Sequence, residues 1–114
     1  MPGNRVDKVA ESVHRTLSEI LLRETKDPDL GMVTIIRVTV SRDLRYAKVF
    51  YSVLGDAAQP ARTKAAFDRA KSFLRGEVGH RLSLRLVPEL TFQYDDSSEY
   101  AIHIDELIKQ AKNK

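Results

Sequence analysis

The residues of this chain best placed to do chemistry are cations, and they are gathered rather than scattered. Residues 37–48 and 62–85 hold eleven of the nineteen lysines and arginines, against only Asp43, Asp68 and Glu77. The rest of the chain holds eight cations and thirteen anions, so a formal net charge of +3 conceals a strong partition. Arg42 and Arg45 flank a short polar connection, while Lys64, Lys71 and Arg75 recur at spacings of seven and four, which places them on one side of a helix. Clustered guanidinium and ammonium groups suit phosphates, giving affinity and position without reading base sequence. Segregated positive charge on a small domain points to nucleic acid as the partner. The expected RNA-binding residues are Arg42, Arg45, Lys48, Lys64, Arg69, Lys71, Arg75, Arg81 and Arg85. Aromatic residues do not read as interleaved with these cations, which favours recognition of folded RNA by shape and backbone over stacking of splayed bases.

Other chemistry finds little support. His14, His80 and His103 lie far apart on different elements, without the spacing of a zinc site or of a nucleophile and its base. Asp95, Asp96 and Glu99 suit the cap of a following helix better than a magnesium site. No G-x-x-x-x-G-K-[ST] or G-x-G-x-x-G run is present, so nucleotide hydrolysis and dinucleotide binding are not indicated. Gly76-Glu77-Val78-Gly79 spells the G-x-x-G by which KH domains clamp a strand, but Glu77 would repel phosphates and Val78 continues an apolar helical stripe. The expectation is a protein that is not an enzyme and needs neither metal nor cofactor. Cysteine is absent, which excludes disulfides and thiolate metal sites. With no apolar start and no apolar run near ~18 residues, a cytoplasmic location is expected.

A chain of 114 residues is expected to form one domain over 1–114, with a frayed tail at 110–114. Val6, Val9, Val13, Leu17, Ile20 and Leu21 form one stripe of a first helix, with Asn4 as N-cap and a stop near Lys26-Asp27-Pro28. Its outward face mixes Lys8, Glu11, Arg15, Glu19 and Arg23, as a solvated face does. β-Branched residues at 32–41 and the alternation at 46–54 predict an antiparallel hairpin. Its apolar parity slips between Ile35 and Ile36, which a bulge would explain. After a loop at 55–60, helical periodicity runs through Ala66, Phe67, Ala70, Phe73, Leu74, Val78 and Leu82, with Gly79 a candidate end. A last strand follows at 89–95, then a final helix capped at 96–99 and packing through Ile102, Ile104, Leu107 and Ile108. This order makes an α+β two-layer sandwich, helices on one sheet face, with Thr39, Lys48, Ser52, Thr91 and Gln93 on the other.

The chain resembles the bacterial ribosome-binding factor A family over nearly its whole length. The likeness is carried by Val40-Ser41-Arg42-Asp43-Leu44-Arg45-Tyr46-Ala47-Lys48-Val49, and by the run from Leu84-Arg85-Leu86-Val87-Pro88-Glu89 through Leu90-Thr91-Phe92-Gln93-Tyr94 to Asp95-Asp96-Ser97. Asp27-Pro28 and Glu99 also stand where that family has them. The resemblance implies a type II KH-like domain, helix–strand–strand–helix–(kink)–helix–strand, with a C-terminal helix after it. The family's Ala-x-Gly kink would fall at Ala70, Lys71 and Ser72, where serine replaces the final glycine. It also implies a non-catalytic, monomeric factor that binds the immature 30S subunit and assists late maturation of 16S rRNA, important in the cold, with other assembly factors as further partners. A protein–protein adaptor docking a basic partner through the acidic segment 89–106 is the alternative reading.

Overall fold

In the computed structural model, which describes residues 4–95, helix α1 (Arg5–Arg23) leads into a 3-10 turn at Pro28–Leu30. Strands β1 (Val33–Val40) and β2 (Tyr46–Val53) follow, then helix α2 (Gln59–Leu82) and strand β3 (Glu89–Tyr94). The Asn4 side chain accepts from the Asp7 N–H at 2.7 Å, satisfying a donor that the first turn of α1 leaves open. The helix ends at Arg23, one turn before Pro28, and Asp27 caps the 3-10 turn through Asp29 N–H at 3.0 Å.

The sheet runs in the order β1-β2-β3. The hairpin is antiparallel, while β3 lies parallel to β2 because α2 carries the chain back across the sheet. The register shifts between Ile35 and Arg37, so Ile36 is the extra residue of a bulge. The bulge sends both Ile35, opposite Tyr51, and Val38, opposite Val49, to the inner face, which unbroken alternation would forbid. His14 Nε2 donates to Ile35 O at 3.0 Å and ties this point to α1.

Val13, Leu17 and Ile20 of α1 meet Ile35, Val49, Tyr51 and Leu90 of the sheet and Phe67, Leu74 and Val78 of α2 in one buried core. Phe67 stacks on Phe92 with ring centres 4.2 Å apart and tilts against Tyr51 at 4.8 Å. The outer face presents, row by row, Tyr46–Glu89, Thr39–Lys48–Thr91, Arg37–Phe50–Gln93 and Thr34–Ser52. Ser52 is an exception to the expected wet face: it is buried, in a recess bordered by Met32, Thr34 and Leu54.

The expected break at Ala70, Lys71 and Ser72 is absent; α2 is one continuous helix of 24 residues. Ala and Lys are strong helix formers and Ser is tolerated, so without glycine at 72 no residue there leaves helical geometry cheaply. Nor does Gly79 end the helix. Its terminus is Ser83, held left-handed at φ 51° and ψ 42°. Phe67 faces the sheet as expected, but Phe73 is 56% exposed. The expected C-terminal helix and its cap at 96–99 fall outside the described residues. Among those residues, no helix is long and apolar enough to cross a membrane.

Candidate nucleic-acid interface

At the tip of the β1–β2 hairpin, backbone and side chains are tied together. Ser41 Oγ donates to Asp43 Oδ1 at 2.7 Å and accepts from Tyr46 N–H at 3.0 Å, and Arg45 N–H donates to the same Asp43 oxygen at 3.1 Å. The Ser41 hydroxyl, and after it the Arg45 amide, hold the Asp43 carboxyl below the usual carboxylate range. Leu44 is held at φ 63°, a left-handed conformation that leucine rarely takes. The exposed Arg42 and Arg45 therefore project from a fixed turn. The Arg45–Asp43 contact, 4.0 Å between well-exposed groups, restrains the guanidinium only weakly.

Helix α2 sorts its cations by side. Toward α1 and the 3-10 turn they are neutralised. Arg62 lies 3.6 Å from Asp29 and 3.3 Å from Asp56, Arg69 lies 2.9 Å from Asp27, and Arg81 contacts both Glu24 and Glu77. The hydrogen bond from Arg69, with one from the Asp29 amide, lowers the Asp27 pKa, and the bonds to Glu24 and Glu77 raise that of Arg81. Toward β3, Lys64 and Lys71 have no ion-pair partner among the described residues. Arg75, one turn beyond Lys71, donates through Nε to Pro88 O at 3.2 Å and through a terminal nitrogen to Val87 O at 3.0 Å.

The segment before β3 joins the two cationic regions. Glu89 N–H donates to Arg45 O at 2.8 Å, so the hairpin tip abuts residues 87–89, which Arg75 holds from the other side. Arg85 is exposed in the same connection, without an ion partner among the described residues. Of the nine expected residues, Arg42, Lys48, Lys64, Lys71 and Arg85 have no ion partner among the described residues and Arg45 is loosely held. Arg69 and Arg81 are spent on carboxylates, and Arg75 on the backbone.

The expected separation of aromatics from cations does not hold on the sheet. Tyr46, Lys48 and Phe50 alternate along the outer face of β2, and Tyr46 is 57% exposed. The Arg37 guanidinium lies 4.1 Å from the centre of the Phe50 ring, and Lys48 Nζ lies 5.9 Å from it. The period-two spacing was visible in the sequence. The placement of Arg37 beside Phe50 depends on the bulge at Ile36, which no local pattern fixes.

Among the described residues, no group of three or more His, Asp or Glu side chains could hold a metal ion. His103, Asp96 and Glu99 lie outside them, as does most of the acidic segment 89–106. The Tyr51 hydroxyl titrates above its ordinary range, first because it is buried and then because Asp68 is near.

A profile of the ribosome-binding factor A family matches residues 5–108. Ribosome-binding factor A of Natranaerobius thermophilus is 44% identical over 110 residues, covering 96% of this chain and 84% of its own. The crystal structure of ribosome-binding factor A from Thermus thermophilus superposes with a TM-score of 0.69 at 22% identity, covering 80% of this chain and 97% of that one. A Thermus thermophilus ribosome-binding factor A homology model, fitted into a cryo-electron-microscopy map of a 30S complex, gives 0.63 at 25% identity over 77% and 92% of the two chains.

Proposed function

Because the chain belongs to the ribosome-binding factor A family, we propose that it binds the immature 30S subunit and assists late maturation of its 16S rRNA without catalysing a reaction itself. The observation that carries this reading is the sorting of charge. Arg42, Lys64, Lys71 and Arg85 have no ion partner among the described residues and stand on parts of the molecule joined through Arg45, Glu89 and Arg75. Lysines and arginines on rigid supports contact phosphates at fixed separations and so hold an RNA junction in one arrangement. The factor then acts by occupancy: it stabilises one rRNA geometry while processing finishes, and leaves when that geometry changes. The 30S assembly of the fitted relative fits this role.

Gradient sedimentation of a lysate tests it. The protein is expected with free small subunits and not with mature ribosomes, and subunits from cells lacking it are expected to retain unprocessed 16S rRNA ends. Sedimentation at the top of the gradient at low salt would refute the reading.

A further inference from the structure

We propose that the outer face of the sheet is a second RNA site, which takes an unpaired stretch of rRNA by stacking bases on Tyr46 and on the Arg37–Phe50 pair. The inference rests on the reading above that rRNA is the partner, and adds a surface and a mode of recognition to it. Both described helices pack on the inner face, so among the described residues no helix covers the outer one. Along the central strand the order is aromatic, cation, aromatic: Tyr46, Lys48, Phe50. Residues four apart on a strand are separated by about 13–14 Å. Lys48 thus sits midway between two stacking surfaces, where the phosphate linking two splayed nucleotides would pass.

The Tyr46 ring borders a recess of ≈ 280 Å³ whose other lining includes Thr39, Lys48 and Thr91. The two threonine hydroxyls flank Lys48 in one row across the three strands and can donate to or accept from a base edge. At the other end, Arg37 over Phe50 offers a planar guanidinium, on which a base stacks as it does on a ring.

Charge selects the occupant. Arg37 and Lys48 have no carboxylate partner among the described residues, and the hairpin that carries them adds Arg42 and Arg45 against Asp43 alone. Glu89 stands at one corner, on the edge strand, and Asp95 just beyond that strand's other end. A second copy of this chain would set one positive face against another, and the face is rich in threonine rather than in the apolar side chains that bury well. Single-stranded RNA supplies both the phosphate and the π-face.

Amide shift mapping on the full chain, titrated with an eight-nucleotide single-stranded RNA, provides the test. Shifts are expected at residues 37–39, 46–50 and 91–93. Tyr46→Ala with Lys48→Ala should weaken oligonucleotide affinity about tenfold or more, whereas Tyr46→Phe, which keeps the ring, should retain it. Sedimentation of Tyr46→Ala, which leaves every cation in place, with small subunits at low salt should persist through the α2 and hairpin cations. Shifts confined to α2 and the hairpin tip, or an unchanged affinity of Tyr46→Ala with Lys48→Ala, would overturn the proposal and leave subunit binding untouched. So would equal shifts at this face with polyglutamate, or on raising protein concentration without RNA. Oligonucleotide shifts at this face with no sedimentation on subunits would sink the 30S reading and keep the RNA site.

Discussion

Arg75 and Lys64 read alike in the sequence, as cations on one helical stripe, and the structure gives them different work. Lys64 reaches solvent without an ion partner among the described residues, whereas Arg75 spends both arms of its guanidinium on the carbonyls of Pro88 and Val87. Those carbonyls belong to a connection without ladder partners of its own, so the arginine supplies donors the backbone there lacks. Replacing exposed Lys64 and half-buried Lys71 with alanine should change stability by no more than about 0.5 kcal/mol, since neither has an ion partner among the described residues and alanine favours the helix. Arg75→Ala should cost about 1 kcal/mol, a figure kept low because the side chain is partly solvated. Arg75→Lys should not restore it, because an ammonium lacks the planar fork that spans two acceptors. Urea midpoints at constant m-value decide the matter; equal midpoints for Arg75→Ala and the lysine pair would mean that the two carbonyl bonds are idle. Residue type and spacing made the stripe legible. The fate of each charge was not, because it depends on what the chain brings opposite from residues 24–29 and 87–88.

At the scale of elements, α2 shows where local rules sufficed and where they failed. The bulge at Ile36 was legible because parity must be kept on a sheet with one buried face. The uninterrupted helix was not, since the family resemblance carried a kink into a stretch whose own residues, Ala70, Lys71 and Ser72, all accept helical geometry. Two glycines remain inside that helix for different physical reasons. A Cβ at Gly79 would come within 2.5 Å of Val87 Cγ2, so Gly79 lets the helix approach the connection that Arg75 also holds. A Cβ at Gly76 would meet nothing within 4 Å. Alanine at the two positions should therefore act with opposite signs. Gly76→Ala should stabilise by about 0.5–1 kcal/mol through helix propensity alone. Gly79→Ala should destabilise by about 1–3 kcal/mol from overpacking, and Val87→Ala in the same chain should recover part of that loss. Thermal or urea unfolding of the three variants checks this; a stabilising Gly79→Ala would show that the close approach to Val87 is not needed.

For the whole molecule, internal pairing decides which cations of α2 are spent and which stay available. Arg62, Arg69 and Arg81 stitch α2 to carboxylates at the end of α1, in the 3-10 turn and in the loop before α2, while the cations on the β3 side of α2, like Lys8, Arg15 and Arg23 on α1, have no ion partner among the described residues. Charge clustering was visible from composition along the chain. The division into spent and free charge was not, because it arises only when the acidic residues 24–29 fold against α2. If binding to the subunit is driven by release of counterions from contacted phosphates, each lost contact should flatten the dependence of log affinity on log salt by a little under one unit. Lys64→Ala, Lys71→Ala and Arg85→Ala together should flatten it by about 2–3 units. Two controls separate surface from total charge. Arg69→Ala with Asp27→Ala removes one ion pair at constant net charge and should leave the slope as it was. Lys8→Ala, Arg15→Ala and Arg23→Ala remove as much charge as the first triple variant, but from the exposed face of α1, whose buried side packs on the core. That triple should also keep the parental slope, with only a uniform loss of affinity from weaker long-range attraction. If the α1 triple flattens the slope as much as the α2 triple, subunit binding responds to net charge and no one surface of this molecule is the phosphate contact.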